Sequence, residues 1–357
     1  MAILAMNRTG RMPVPRRGGR HAHPRYLLSV YRVRRHDQFG EVKLMNISRR
    51  DLLRYSASVG LACLYAREPG TVLAREPHLK FPKRPMARLA LTSWPFRAFM
   101  ESTGNSDRDP SKPRMNVVAF AKMAIAKFGI HNINPLGAHL GSTAPRDLEA
   151  VREGVAKAGS HFVDLGLEPA KFFDPDPAVR KSAVEKGKQW IDIAAALGSP
   201  SVRQHIGNSR GVSPDVDLTA QNLGELAAYA AQRNIVVNLE NDSLASEDPF
   251  FIVRVIEKAG NPYLRALPDF GNTAATGDPD YNYRGLEAMF PHAFNMTHVK
   301  RDVMKSGKVY TVDLAKVFGI AKASGYRGYY SMECESRTQD PFQGTMELVG
   351  QSLKYLS

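Results

Sequence analysis

Four residues of this chain, Glu240, Asp269, His298 and Glu333, have types and spacings that point to shared chemistry. They follow one another at intervals of 29, 29 and 35 residues, and each closes a short apolar run: NLEND, LPDFGN, THVKRD and SMECES. A charged group at the end of an apolar run needs a partner or a purpose, because desolvating it unpaired is costly. Three carboxylates brought together repel one another, and one divalent cation resolves that repulsion. Oxygen donors with a single nitrogen suit Mn²⁺, Mg²⁺, Co²⁺ or Zn²⁺. Taken singly, each residue has an ordinary reading. Glu240 and Glu333 read as solvated strand ends, Asp269 as a cap on the turn before Gly271-Asn272, and His298 as a side chain bonded to a neighbouring carbonyl. The regular spacing of all four favours the shared site.

The elements that would position them repeat with the same rhythm. Eight β-rich runs begin at RLALTSW (88–94) and continue through IHNIN (130–134), HFVDLGL (161–167), PSVRQH (200–205), IVVNLE (235–240), LRALPD (264–269), AFNMTHVK (293–300) and YYSMECE (329–335). Helical patterns separate them, such as VVAFAKMAIAKF and VRKSAVEKGKQWIDIAAALG. Asp176-Pro177, Ser213-Pro214, Asp248-Pro249 and Asp340-Pro341 each place a capping residue before a proline at the first helical position. This alternation predicts an α/β fold, a single-domain (β/α)₈ TIM barrel, in which the C-terminal strand ends converge on one mouth. An open doubly wound sheet would carry a glycine-rich fingerprint after its first strand. Here Pro95-Phe96-Arg97 follows instead, and no Walker A sequence is present.

Composition narrows the function classes. The 357 residues are 43% hydrophobic and 24% charged, ordinary values that exclude wholesale disorder and a multi-span membrane protein. The net charge of +14 suggests a nucleic-acid partner until it is divided along the chain. Residues 1–88 hold 19 of the 49 Lys+Arg and 5 of the 35 Asp+Glu, leaving 30 of each sign for the rest. A neutral body offers no case for binding a polyanion. The two cysteines, Cys63 and Cys334, form neither a disulfide framework nor a cysteine-rich zinc site.

The excess charge reads as an address. Residues 1–44 form an Arg- and Gly-rich segment without apolar period, expected to be disordered, and Met45 is an alternative start. Ser48-Arg49-Arg50-Asp51-Leu52-Leu53-Arg54 resembles the twin-arginine export signal, and a mild apolar stretch, YSASVGLACLYA, follows it. That stretch is too short for a permanent membrane span. Val72-Leu73-Ala74 offers a cleavage site, so residues 45–74 are expected to be a signal peptide and 75–357 the catalytic barrel. Export by the twin-arginine machinery to the periplasm would suit an enzyme that loads its metal before leaving the cytoplasm.

The motifs LPDFGN, HVKRD and GYRGYYSMECE resemble those of the xylose-isomerase-like TIM barrels in the sugar phosphate isomerase/epimerase family. The resemblance runs from about residue 86 to the end of the chain. That superfamily includes ketose 3-epimerases, hydroxypyruvate isomerase and endonuclease IV. The resemblance implies one divalent metal held by Glu240, Asp269, His298 and Glu333, in the fifth to eighth strands. It also implies that Glu240 and Glu333 are the acid/base pair. Glu335 lies one two-residue step further on the same face, and the family pattern selects Glu333. Asn272 stands where several epimerases carry a substrate-binding histidine, which counts against a ketose 3-epimerase.

The implied chemistry is sugar isomerisation or epimerisation by proton transfer. A metal on the carbonyl and hydroxyl oxygens stabilises an enediolate, while carboxylates remove and return the proton. Lys300 either steadies the oxyanion or is an ordinary solvated lysine. His205 and Trp94 are further candidates for contact with substrate hydroxyls and a sugar face. His139, His161 and His292 read as structural. Exported placement favours a free or keto sugar over a phosphorylated one. A lyase or hydrolase acting on an oxidised sugar or glycoside, or a non-catalytic carbohydrate-binding barrel, are the alternatives. Endonuclease IV chemistry would need a trinuclear, histidine-rich site and a basic groove. A homo-oligomer is compatible with the sequence.

Overall fold

The computed structural model describes residues 76–335 and 340–356. The basic segment 1–44 and the export signal expected at 45–74 lie outside the described residues. Among the described residues eleven strands occur in chain order: β1 Leu89–Thr92, β2 Asn132–Asn134, β3 His161–Phe162, β4 Leu165–Gly166, β5 Ser201–Gln204, β6 Val236–Glu240, β7 Leu264–Leu267, β8 Met296–Val299, β9 Asp302–Lys305, β10 Lys308–Thr311 and β11 Tyr329–Met332. The helices are α1 Val117–Phe128, α2 Pro145–Lys157, α3 Pro177–Leu197, α4 Val216–Ala231, α5 Pro249–Ala259, α6 Pro279–Met289, α7 Leu314–Ala323 and α8 Pro341–Leu356.

The parallel pairings close a ring. β11 pairs with β1, β1 with β2, and β2 with β3. β3 and β4 are one barrel strand interrupted at Val163-Asp164. β4 pairs with β5, β5 with β6, and β6 with β7. β7 meets β8 through the Ala266–Ala293 and Asp269–His298 bridges, and β8 returns to β11. This is an eight-membered (β/α)₈ barrel, as the sequence rhythm predicted.

Strand alternation decides which residues line it. Leu89 and Leu91 of β1, Val202 of β5, and Val237 and Leu239 of β6 belong to the large core shared with the helices. Their neighbours turn inward. Ala90, Val163, Leu267 and Met296 make a small separate apolar cluster. Asp164, Ser201, Asn238 and Asn295 form a buried hydrogen-bonded layer. Mutual bonding offsets much of the cost of removing these groups from water.

Helix boundaries follow the caps. Asp176 accepts from Ala178 N at 2.8 Å, Asp248 from Phe250 N at 2.9 Å, and Asp340 from Phe342 N at 2.9 Å. Ser213-Pro214 is different: α4 starts two residues later, with Asp215 capping Leu218 N at 2.9 Å. The carboxylate of Asp215 reaches the free amide, so Pro214 precedes the cap instead of following it. An antiparallel β9–β10 hairpin is also inserted between β8 and α7, outside the strand–helix alternation. Ser306 (φ 51°) and Gly307 (φ 74°) occupy its turn, as a two-residue type I′ connection requires.

Candidate metal centre

The four predicted residues come together at the barrel mouth. Glu240 ends β6, Asp269 lies two residues beyond β7, His298 is in β8, and Glu333 follows β11 directly. Exposures are 1%, 0%, 0% and 4%, so water is nearly excluded. One donor atom from each lies within 4.8 Å of the others. Ligands on opposite sides of a cation at ~2.0–2.3 Å are about 4.0–4.6 Å apart, so the cluster has the scale of a first coordination sphere.

Each side chain is held by a specific contact. Glu240 Oε1 is 2.6 Å from His298 Nδ1, and its Oε2 is 2.7 Å from His205 Nε2 and 2.6 Å from Arg203 Nη1. Asp269 Oδ1 accepts from the Gly271 and Asn272 amides at 2.9 and 2.8 Å. It caps its turn with one oxygen, and the other, Oδ2, faces the cluster with no hydrogen bond. Glu333 N donates to Val299 O at 3.0 Å, extending the β8–β11 ladder by one step. Glu333 Oε2 likewise lacks a hydrogen bond, although His298 Nδ1 is 2.8 Å away. Two buried carboxylate oxygens without hydrogen bonds, among hard donors, fit a divalent cation.

Burial and neighbouring charges act on these groups in opposite directions. Burial pushes the Asp269 carboxyl up to about 7, partly opposed by Lys300. Burial opposes charge on Glu333 too, but Lys300 and His298 more than offset it and bring the carboxyl to about 2. Glu240 is held well below the usual carboxylate range because Arg203 and His298 overcome its burial. Burial disfavours the His298 imidazolium, yet Glu240 and Glu333 raise it to about 10.

The structure also places the remaining candidates. Lys300 is 3% exposed, with Nζ 2.8 Å from Glu333 Oε1 and 2.6 Å from Asn272 Oδ1. Both residues thus border the centre, and the solvated-lysine alternative for Lys300 fails. Glu335 lies at the rim, accepting from Met304 N at 2.8 Å with Oε1 3.6 Å from Lys300 Nζ. Glu333, not Glu335, therefore joins the cluster. His205 borders it through Glu240 and lies 3.5 Å from Asp242. Trp94 stands apart in a short 3₁₀ segment, Trp94–Phe99, with the Arg97 guanidinium 4.2 Å over its ring. His139 is buried against Ser93 Oγ, His161 is exposed, and His292 is 3.4 Å from Glu257, all away from the cluster.

Residues 123–357 match the family described as Xylose isomerase-like TIM barrel. The chain belongs to that family. No curated protein matches the chain by sequence. Among solved structures, a xylose isomerase-like TIM barrel protein from Mycobacterium smegmatis in complex with magnesium is 17% identical, with a TM-score of 0.58. The alignment covers 75% of this chain and 96% of that one. A D-psicose 3-epimerase, solved in the presence of D-fructose, is 13% identical with a TM-score of 0.58, over 75% and 99% of the two chains. An L-ribulose 3-epimerase is 17% identical with a TM-score of 0.58, over 76% and 95%. At such identities the likeness is one of fold.

Within this xylose isomerase-like barrel, two residues of the centre had drawn no attention in the sequence. Arg203 is 6% exposed, ion-paired with Glu240, and packed so closely on Gly166 that a Cβ there would lie 2.6 Å from Nη2. Asn134 touches His298 Nε2 from β2. The inward alternation Ser201-Arg203-His205 was the available signal for Arg203. His205, Glu240 and Asp242 also approach one another closely enough to hold a cation. The Arg203 guanidinium already supplies positive charge on that side of Glu240.

Proposed function

We propose that the protein is a divalent-metal-dependent sugar isomerase or epimerase working by proton transfer. The observation that carries this reading is the convergence of Glu240, Asp269, His298 and Glu333 within 4.8 Å at the mouth ends of consecutive barrel units. The epimerase names of its structural neighbours point the same way. A cation bound there supplies charge stabilisation for the oxygens of a reacting sugar. Asp269 and His298 mainly hold it. Glu240 and Glu333 enter from strands separated by β7 and β8, and one accepts the proton from the substrate carbon while the other returns it. Lys300, already paired with Glu333 and Asn272, donates a hydrogen bond to developing negative charge on a substrate oxygen. His205 and Asn272 contact substrate hydroxyls.

The substrate is a free or keto sugar, and the protein is exported folded through the twin-arginine route. Support for export lies in the Ser48–Arg54 signal and the neutral charge of the body.

The test is solvent deuterium exchange into a panel of aldoses and ketoses, with Mn²⁺, Mg²⁺, Co²⁺ or Zn²⁺ added and with chelator. Metal-dependent entry of deuterium at a carbon next to the carbonyl is the expected result. Product formed without solvent deuterium would indicate a hydride shift and reject the proton-transfer assignment. No turnover despite tight metal binding would favour a carbohydrate-binding barrel.

A further inference from the structure

Each carboxylate of the centre has one oxygen already engaged by the protein. Asp269 Oδ1 accepts from the Gly271 and Asn272 amides, and Glu333 Oε1 is 2.8 Å from Lys300 Nζ. Glu240 Oε2 is engaged twice, by Arg203 Nη1 at 2.6 Å and His205 Nε2 at 2.7 Å. A carboxylate only accepts, so both nitrogens donate to it. Glu240 Oε1 faces His298 Nδ1 instead, at 2.6 Å. The Arg203 arm of this clamp lies wholly inside the barrel. Its guanidinium is buried, with Nε unpartnered. A buried charge is costly unless it is paired, and the partner here is Glu240. Gly166 makes room for it: a Cβ there would lie 2.6 Å from Arg203 Nη2 and 2.6 Å from Leu136 Cδ2.

We infer that Arg203 is a positioning residue that restricts Glu240 to one donor oxygen, Oε1, and thereby tunes the centre to a small octahedral cation against Ca²⁺. The inference rests on the cation of the proposed function and not on its reaction. Ca²⁺ gathers about 6–8 oxygens at ~2.3–2.6 Å, often through bidentate carboxylates, whereas Mg²⁺ requires a near-ideal octahedron at ~2.0–2.1 Å. With one oxygen of each carboxylate engaged, Glu240, Asp269, His298 and Glu333 offer four single donors. An octahedral ion then needs about two more oxygens, and Ca²⁺ is left short of the second carboxylate oxygen it would use. Charge alone does not discriminate, because a nearby guanidinium repels every divalent cation alike. The oxygen it occupies does. Backbone amides hold Asp269, and Lys300 is already assigned to a substrate oxygen. Arg203 is therefore the arm that one substitution can remove cleanly.

The full-length protein, stripped by chelator, is titrated calorimetrically with Mn²⁺ and with Ca²⁺, and waters on the bound Mn²⁺ are counted by water-proton relaxation. Wild type should prefer Mn²⁺ and keep about two waters on it, an octahedral shell less the protein donors. In Arg203→Met only His205 remains on Oε2. The preference for Mn²⁺ over Ca²⁺ should narrow about tenfold or more, the equivalent of ~1.4 kcal/mol, and one coordinated water should be lost. A lost charge by itself would move both affinities together and leave their ratio. Gly166→Ala keeps the charge but crowds the guanidinium off Oε2, so it should narrow the ratio too, and it carries the test if Arg203→Met does not fold. An unchanged ratio in the folded variant overturns the assignment, while deuterium exchange by wild type would leave the isomerase reading standing. A second Mn²⁺ per Arg203→Met chain also overturns it, making the guanidinium a stand-in for a cation between His205, Glu240 and Asp242. A narrowed ratio without deuterium exchange upholds the clamp and removes only the isomerase reading. No Mn²⁺ binding by wild type removes both.

Discussion

Asn134 lies behind His298, with its amide nitrogen 3.0 Å from Nε2, so Nδ1 is the nitrogen that faces Glu240 and Glu333. Ser331 Oγ in turn sits 2.6 Å from Asn134 Oδ1. A ring that offers its Nδ1 lone pair to a metal must carry its proton on Nε2, and the same holds for the imidazolium. Rotating the Asn134 amide by a half-turn puts Oδ1 on that Nε2–H and the amide nitrogen on Ser331, with no other atom moved. Asn134 thereby sets the tautomer in which His298 would offer Nδ1 to a cation. Asn134→Leu should lower Mn²⁺ affinity about 10–100-fold, the usual cost of losing such an outer partner, while the fold persists. Calorimetric titration with Mn²⁺, alongside circular dichroism, checks this; unchanged affinity would remove Asn134 from the centre.

The two glutamates and the histidine should respond differently to substitution. Glu240→Gln and Glu333→Gln each keep one oxygen donor and lose the base. Turnover and deuterium entry should fall at least ~10²–10⁴-fold while some metal is retained. His298→Ala should instead weaken metal binding, and excess metal should restore part of the activity. A Glu333→Gln enzyme with wild-type turnover would show that this glutamate moves no proton.

Arg203 and Glu240 form a buried ion pair at 2.6 Å, and Arg203 Nε has no hydrogen bond. Removing one member of such a pair leaves an uncompensated charge, typically at ~3–5 kcal/mol. Arg203→Met should therefore destabilise the metal-free protein by about that much in urea. Added Mn²⁺ should recover part of the loss, because a cation takes over the neutralisation of Glu240. An equal deficit with and without Mn²⁺ would argue that Arg203 acts only through packing.

Acid should reveal His139. The residue is 2% exposed, and its Nδ1 is 2.7 Å from Ser93 Oγ. Burial, helped by the Arg97 charge, depresses its imidazole from 6.5 to about 4. Between those values the unfolded chain binds the extra proton and the folded protein does not. Its stabilising contribution is therefore complete above about 6.5 and is lost as pH falls toward about 4. The loss is on the order of 3 kcal/mol at ~1.4 kcal/mol per pH unit. Melting curves from pH 4 to 7 should show a flatter slope for His139→Asn; identical slopes would assign the acid sensitivity to other groups.

For export, replacing both Arg49 and Arg50 by Lys should leave the precursor in the cytoplasm, read by fractionation and immunoblotting. Undiminished export of that variant would reject the twin-arginine assignment.

The barrel was legible because its information is local. Period-2 runs such as VVNLE and cap pairs such as Asp248-Pro249 each settle one element without reference to the rest. The four clustered residues were legible for a related reason: each is a titratable residue at an apolar strand's end. Arg203 and Asn134 were not, because their meaning depends on partners 37 and 164 residues away. A lone Arg in SVRQ reads as surface until β6 is laid beside β5. The hairpin escaped notice because its only mark is Ser306-Gly307 between two four-residue strands.

Along β6, Val237 and Leu239 face the helices while Asn238 and Glu240 face the lumen. Stability and chemistry are thus written on alternate letters of one word. The outer letters can drift among aliphatic residues of similar volume at small cost, and the lumen set can be rewritten without loosening the wall. Deleting or inserting one residue would exchange the two sets, putting the carboxylate among the helices and a leucine at the mouth. Point substitution is therefore an open route to new specificity in this barrel, and a length change within a strand is closed.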